Sequence, residues 1–337
     1  MNTITKIKFS IIIAVYERPF ELKEILQSLA NQKCKNFEVI VVDDGSTNKL
    51  NEITESFSDS LEIYYYYKHN SGPGLSRNLG ASKANAEYLI FLDSDTIIPY
   101  EYICEVQEEL DRNYVDFFGG SDNVHHSFSA LQKAINFSMT SFMTTGGIRG
   151  GKQAAKKFQP RSFNMGISKD AFEKVGGFSH MRIGEDPDLT MRLWENSFKS
   201  RWFSKSYVYH KRRTSLNKFS KQVLNFGIAR PILNQKHPNY RSFTFWFPSL
   251  FLIGILVSIL FSIYGVHIFT AFYIVYFLLV LVFSSIENKS VYVGFLSIVT
   301  TFIQFTNYGY GFILSQIQLN ILKKPANQAF PNHFYNI

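Results

Sequence analysis

Between Glu195 and Glu287 the chain contains no acidic residue, and within that interval Phe243 to Ser284 is almost uninterruptedly apolar. A bilayer core takes about 20 residues per helix. The run is broken only at Gly265-Val266-His267, so it fits two spans joined by a tight turn, each helix satisfying its own backbone polar groups. Val291 to about Ile317 either forms a third span or packs inside a bundle or at an interface, because it carries Gln304, Asn307, Gln316 and several Gly and Tyr. Eleven Lys or Arg lie from Lys199 to Arg241, immediately before the first span, which places the preceding residues in the cytoplasm by the positive-inside rule. A third full span would carry Lys323 and Lys324 outside, which counts against it. Leu216, Phe219, Val223 and Phe226 recur at helical spacing with Lys218 and Lys221 between them. Such a helix either lies in a lipid interface or docks on a globular domain.

The rest of the 337 residues is of ordinary polarity, since 46% hydrophobic residues coexist with a mean hydropathy of −0.05. The net charge of +8 is accounted for by the basic stretch before Phe243, so no nucleic-acid partner is expected. Two cysteines, Cys34 and Cys104, make no disulfide framework, and a reducing compartment is the default. Phe9 to Val15 follows Lys6 and Lys8 in the manner of a signal sequence, but it is short, lacks a small-residue cleavage site and stops at Tyr16-Glu17-Arg18-Pro19, as a buried strand does.

From Phe9 to about Tyr114 short apolar runs alternate with helical periodicity. Strands are expected at Phe9–Val15, Phe37–Val42, Ile63–Tyr67 and Tyr88–Leu92, with helices carrying Leu22, Ile25, Leu26 and Leu29, then Ile53 and Phe57, then Leu75 to Ala86. This βαβα order predicts an α/β fold with an open, mostly parallel sheet, in which ligands bind outside the carboxyl ends of the strands. From Val115 to Tyr209 the pattern is less regular, broken by Gly119-Gly120 and later glycine pairs, with a basic loop at Lys152 to Lys157. It reads as a substrate-shaping part of the same domain.

Polar residues gather at the predicted strand exits. In Asp93-Ser94-Asp95 two carboxylates can converge on a hard divalent cation, or simply be solvated. Asp43-Asp44-Gly45-Ser46 offers acceptors to a base or ribose, and equally a helix cap. Asn70 to Asn78 combines glycines, Arg77 and a helix start, suiting either close approach to phosphate or a plain capped turn. Gly184-Glu185-Asp186 opens a helix that continues through Arg192; its acids favour the helix dipole, and Asp186 is the candidate general base, with Glu185 as its competitor. His210 can add an imidazole nitrogen to a metal site.

Taken in order, these segments resemble glycosyltransferase family 2, whose catalytic domain has the GT-A fold. The resemblance runs from Ser10 to Arg213 through Ile11 to Pro19, Asp43 to Ser46, Gly74 to Gly80, Asp93 to Asp95, Asn164-Met165-Gly166, Gly176-Gly177-Phe178, Glu185-Asp186 and His210 to Arg213. It implies that Tyr16 and Asp44 contact the base, that Asp93 holds ribose or metal, that Asp95 holds a divalent metal, Mn2+ or Mg2+, that His210 helps hold that metal or the diphosphate, and that Asp186 deprotonates the acceptor. Glu17, Asp43, Arg77, Asn78, Met165, Gly166 and Arg192 complete the implied substrate-binding set. The first motif departs from the family's usual one, with Glu17 where Asn is frequent and Ala14 where a hydroxyl residue is frequent. The Gln-X-X-Arg-Trp signature of processive synthases is missing, since Phe198 precedes Arg201-Trp202 at that spacing, so transfer of a single sugar is expected.

The resulting expectation is a GT-A domain over residues 1–213, a basic amphipathic segment over 214–242, a transmembrane region of two or three helices over 243–318 and a tail over 319–337. The partners would be a nucleotide-sugar donor, by the resemblance a UDP-sugar, a glycan or lipid-linked acceptor, and a membrane, as in a multi-pass protein of a bacterial inner membrane with its catalytic domain cytoplasmic. The rival readings are a polyprenyl-phosphate glycosyltransferase, whose acceptor needs no base, and an inert nucleotide-sugar-binding scaffold.

Overall fold

The computed structural model describes residues 9–123, 125, 127–146 and 158–335. In chain order these form β1 (Phe9–Val15), α1 (Pro19–Ala30), β2 (Phe37–Asp43), α2 (Asn51–Glu55), β3 (Ile63–Tyr67), α3 (Pro73–Lys83), β4 (Tyr88–Asp93), β5 (Thr96–Ile97), α4 (Tyr102–Arg112) and β6 (Phe117–Asn123). There follow α5 (Ala130–Thr140), α6 (Phe142–Thr145), β7 (Asn164–Ser168), α7 (Lys169–Lys174), α8 (Glu185–Glu195), β8 (Ser200–His210), α9 (Leu216–Lys236), α10 (Phe247–Ile263), α11 (Ile268–Asn288) and α12 (Val291–Gln316). The chain divides into two units, one of residues 1–125, 155–210 and 334–337 and the other of residues 126–154 and 211–333. The basic loop read at Lys152 to Lys157 lies outside the described residues.

The first unit is an α/β fold around an eight-stranded mixed sheet in the order β3-β2-β1-β4-β7-β6-β8-β5. β1, β2, β3 and β4 are parallel; β7 runs antiparallel to β4 and β6, and β5 antiparallel to β8. The continuous apolar runs arise because both faces are covered. Ile11, Ile13 and Val15 pack with Leu22, Ile25 and Leu29 of α1 and with Val106 of α4, while Ile12 packs on the other face with Val42, Phe91 and Ala81 of α3. Gly80 allows α3 this approach, since a Cβ there would lie 2.5 Å from Ile12 Cγ2.

Strand order reverses at β1, which lies between β2 and β4, and crevices form at such switch points. The register sets Val15 beside Asp43 and Ala14 beside Asp93, so three strand ends finish level. The helix read at Leu75 to Ala86 begins earlier, at Pro73, and ends at Lys83, because proline starts a helix readily at its first position. Cys34 and Cys104, expected as thiols, are joined by a disulfide between the loop after α1 and α4, at a Cα separation of 5.4 Å.

The second unit is helical, with α9, α10, α11 and α5 all packing on α12. Small residues permit this closeness. A Cβ on Gly227 would lie 2.3 Å from the Tyr308 carbonyl, and one on Gly309 2.5 Å from the Pro248 carbonyl. Hydroxyls tie the helices together: Ser284 to Ser297 at 2.6 Å, Ser315 to the Ile228 carbonyl at 2.9 Å and Thr300 to the Ala134 carbonyl at 3.1 Å. The Gly, Ser and Thr of α12 therefore serve packing within a bundle.

α9 packs on other helices of its own unit. Phe219, Val223, Ile228 and Leu233 are buried, while Lys218 and Lys221 stay exposed. α5, which the sequence places in the first domain, likewise packs here, with Ile135 and Met139 against Phe219 and Val223. The segments Phe243–Ile263 and Ile268–Asn288 are long and apolar enough to cross a membrane.

Candidate active site

The acidic pair sits where β4 ends. Thr96 donates to the Asp93 carbonyl at 2.8 Å, closing a tight turn, and β5 then pairs with the end of β8 so that Thr96 faces His210. That short pairing places His210 Nε2 3.3 Å from Asp95 Oδ1. One potential ligand atom from each of Asp93, Asp95 and His210 lies within 4.8 Å of the others. The Phe163 ring stacks on the imidazole at 4.8 Å, and Asp122 lies 3.9 Å from its Nδ1.

Two carboxylates and an imidazole form a donor set for a hard or borderline divalent ion. Asp95 Oδ1 is buried and, apart from the His210 imidazole 3.3 Å away, meets no polar partner among the described residues, as suits an oxygen shared with a cation. Arg18 Nη1 meets the other oxygen at 2.5 Å. Burial alone would raise the Asp95 carboxyl, but His210 and Arg18 beside it hold it well below the ordinary carboxylate range.

Arg77 links this cluster to the start of α8. It is buried, and its Nη2 donates to Asp93 Oδ1 at 2.7 Å while Nη1 lies 3.4 Å from Glu185 Oε1. Gly184, with φ of +90°, turns the chain into α8 so that Glu185 and Asp186 occupy its first turn. Asp186 faces Arg161 Nη1 at 3.7 Å. Burial, reinforced by the Asp186 charge and opposed by Arg77, pushes the Glu185 carboxyl up to about 7.

The acids after β2 are engaged in their own loops. Asp43 accepts from the backbone N–H of Ser46 at 2.9 Å and from the Tyr65 hydroxyl at 2.7 Å. Asp44 accepts from the N–H groups of Ser71 and Gly72 at 3.0 and 2.7 Å and pairs with Lys68. Glu17, at a positive φ of 52°, accepts from the Thr47 N–H and hydroxyl, each at 2.7 Å. This lacing fixes the strand-exit loops, and Tyr16 remains half exposed beside them.

Asp93, Asp95, His210, Arg77 and Glu185 thus come together, with Asp186 adjoining. Others in the expected set do not. Met165 and Gly166 lie inside the sheet on β7, where Met165 is fully buried and a Cβ on Gly166 would meet the Phe118 ring at 2.0 Å. Asn78 exchanges two 2.8 Å hydrogen bonds with the Phe178 backbone. Arg192 bonds Asp188 at 3.0 Å, the Gly177 carbonyl at 2.6 Å and the Val175 carbonyl. Both are spent on anchoring the Gly176-Gly177-Phe178 loop. Arg18 and Arg161 were not among the expected site residues, and the only signal for Arg18 was its place inside the first motif.

Residues 10–176 match the family described as glycosyl transferase family 2. An uncharacterised glycosyltransferase of Rickettsia felis is 41% identical over 100 residues, covering 30% of this chain and 16% of the relative. Poly(ribitol-phosphate) beta-N-acetylglucosaminyltransferase TarS of Staphylococcus aureus is 34% identical over 113 residues, covering 32% of this chain and 20% of the relative. The chain therefore spans a small part of the length of these curated relatives. Among solved structures, a mannosyltransferase of Pyrobaculum calidifontis in complex with GDP-Man and Mn2+ has the same fold, with a TM-score of 0.52 at 13% identity, over 67% of this chain and 64% of that one.

Proposed function

The chain belongs to glycosyl transferase family 2, and we propose that it transfers a single sugar, with inversion, from a nucleotide-diphosphate sugar to a hydroxyl of a glycan or glycolipid. The observation that carries this reading is the convergence of Asp93, Asp95 and His210 at the switch-point edge, with Arg77 and the acidic start of α8 beside it. Asp93, Asp95 and His210 would hold a divalent metal, Mn2+ or Mg2+. When bound, that ion supplies Lewis-acid stabilisation of the departing diphosphate. Asp44 and Tyr16 lie on the side assigned to the nucleoside of a UDP-sugar. Arg77 orients Asp93 and Glu185 through its two ion pairs.

In the transfer step the acceptor oxygen bonds to the anomeric carbon as the bond from that carbon to the diphosphate oxygen breaks. The acceptor proton passes to the Asp186 carboxylate, and the nucleoside diphosphate leaves with the electron pair. The name of TarS, an N-acetylglucosaminyltransferase, supports an N-acetylhexosamine donor. Donor hydrolysis by the purified full chain, measured across UDP- and GDP-sugars with and without Mn2+ or Mg2+, tests the proposal. Turnover of one donor that stops in chelator is expected. No turnover of any donor under either condition overturns it.

α10 and α11 are proposed to cross the membrane, because Leu256, Leu260, Ile263, Phe272 and Ile286 are all exposed on them and water would not tolerate so large an apolar surface. The basic residues before Phe243 then keep the catalytic unit in the cytoplasm. Protease added to intact cells should leave that unit uncut, and the chain should need detergent for extraction. Digestion from outside, or recovery in the soluble fraction, would show the topology to be wrong.

A further inference from the structure

A segment far along the sequence reaches the Gly72 loop beside the site. Phe334 forms an antiparallel bridge with Met181, and the Tyr335 N–H donates to the His180 carbonyl at 2.9 Å. These two bonds hold the Tyr335 side chain over Gly72, in the loop that Asp44 caps. The approach is so close that a Cβ on Gly72 would lie 1.9 Å from the phenol oxygen. A side chain there would have to displace the Tyr335 ring, and the φ of +93° itself favours glycine. The phenol hydroxyl is buried and has no hydrogen-bond partner among the described residues.

A buried hydroxyl left unmet is destabilising, so a segment that served only to plug the site would be expected to satisfy it. A ligand that brings an acceptor removes the penalty on binding. Burial first, and then the Glu185 charge, hold the phenol above its ordinary value, so it stays a neutral O–H donor across the physiological range.

We propose that Phe334–Tyr335 is a strap that completes the donor site, and that the Tyr335 hydroxyl donates a hydrogen bond to the bound nucleoside diphosphate. This rests on the nucleotide-sugar reading above and adds to it a binding residue supplied from beyond the helices of the second unit. Gly72 is the complementary feature, the space that lets the ring lie against the loop.

The test is calorimetric titration of the full chain in detergent with UDP and with GDP, each with Mn2+, alongside thermal unfolding of the free protein. Tyr335→Phe should bind the preferred nucleotide roughly 3- to 10-fold more weakly while melting no lower than wild type, because the lost hydroxyl has no partner in the free protein. Tyr335→Ala and deletion of residues 334–337 should bind more weakly still. If wild type binds and both Tyr335 variants bind equally well, the strap proposal fails while the nucleotide-sugar reading stands. Tighter binding by the deletion variant would make the segment a plug and overturn the proposal. If wild type binds neither nucleotide, the functional reading fails and takes the strap with it.

Discussion

Asp95→Ala should lose metal-dependent transfer by at least about 100-fold, since even the partners of metal ligands typically cost 10- to 100-fold when removed. The same variant should bind Mn2+ measurably more weakly in a calorimetric titration without donor. From sequence alone this carboxylate reads as a surface group whose loss the domain would barely register. The structure changes that expectation, because Asp95 is buried between Arg18 and His210. Alanine there strands the Arg18 guanidinium and leaves His210 without its carboxylate neighbour, so some loss of stability accompanies the loss of activity.

Asp95→Asn separates the two effects by keeping the shape. Its carboxyl is held below the ordinary value of 3.8, so the stability it contributes is present above that value and is lost as the pH falls through the lower folded one. Asn removes that contribution at neutral pH, and its melting temperature should lie below that of wild type there and converge with it in acid. Undiminished Mn2+ binding and transfer in Asp95→Asn, or wild-type activity unaffected by chelator, would exclude the metal site.

The parts of the fold that were legible are those where one stretch of chain declares its own environment. β1, β2 and β4 are mostly apolar because each is covered on both faces, the buried exceptions Ser10 and Glu38 bonding each other, and the exits of β2 and β4 are contiguous with their acids. What the sequence hid is pairing between distant segments. Thr96-Ile97 is too short to announce a strand, yet its pairing with β8 brings His210 to Asp95, a pairing that a lone histidine in the sequence cannot announce.

A polar residue near a glycine loop also looks the same whether it serves a ligand or the loop itself. Asn78 and Arg192 serve the loop, and the Asn164-Met165-Gly166 motif is a buried strand whose neighbours are Phe118 and the main chain of β4. The basic helix α9 carries the periodicity of an interfacial helix, but periodicity does not say what covers the apolar stripe, and here α12 does. Cys34 and Cys104 illustrate the same limit, since a count of two gives no distance.

Asp186→Asn should bind the donor nucleotide with near-normal affinity and transfer sugar about 10²- to 10⁴-fold more slowly, the usual cost of removing a general base. Glu185 is the necessary control, because it adjoins Asp186 on the same turn and its carboxyl is pushed up to about 7. The Glu185 anion, needed to hold Arg77 in place, forms as the pH rises through about 7, so wild-type transfer should rise over that range. That limb should be missing from the profile of Glu185→Gln. Stability runs the other way. The folded pKa is raised above the ordinary 4.5, so this group's contribution is full below 4.5 and is lost as the pH rises through about 7. Glu185→Gln should therefore retain its melting temperature better than wild type between those values. Normal transfer by Asp186→Asn with a dead Glu185→Gln would move the base to Glu185. Normal transfer by both would mean an acceptor that arrives without a proton to lose, as a lipid phosphate does, and the hydroxyl acceptor would be abandoned.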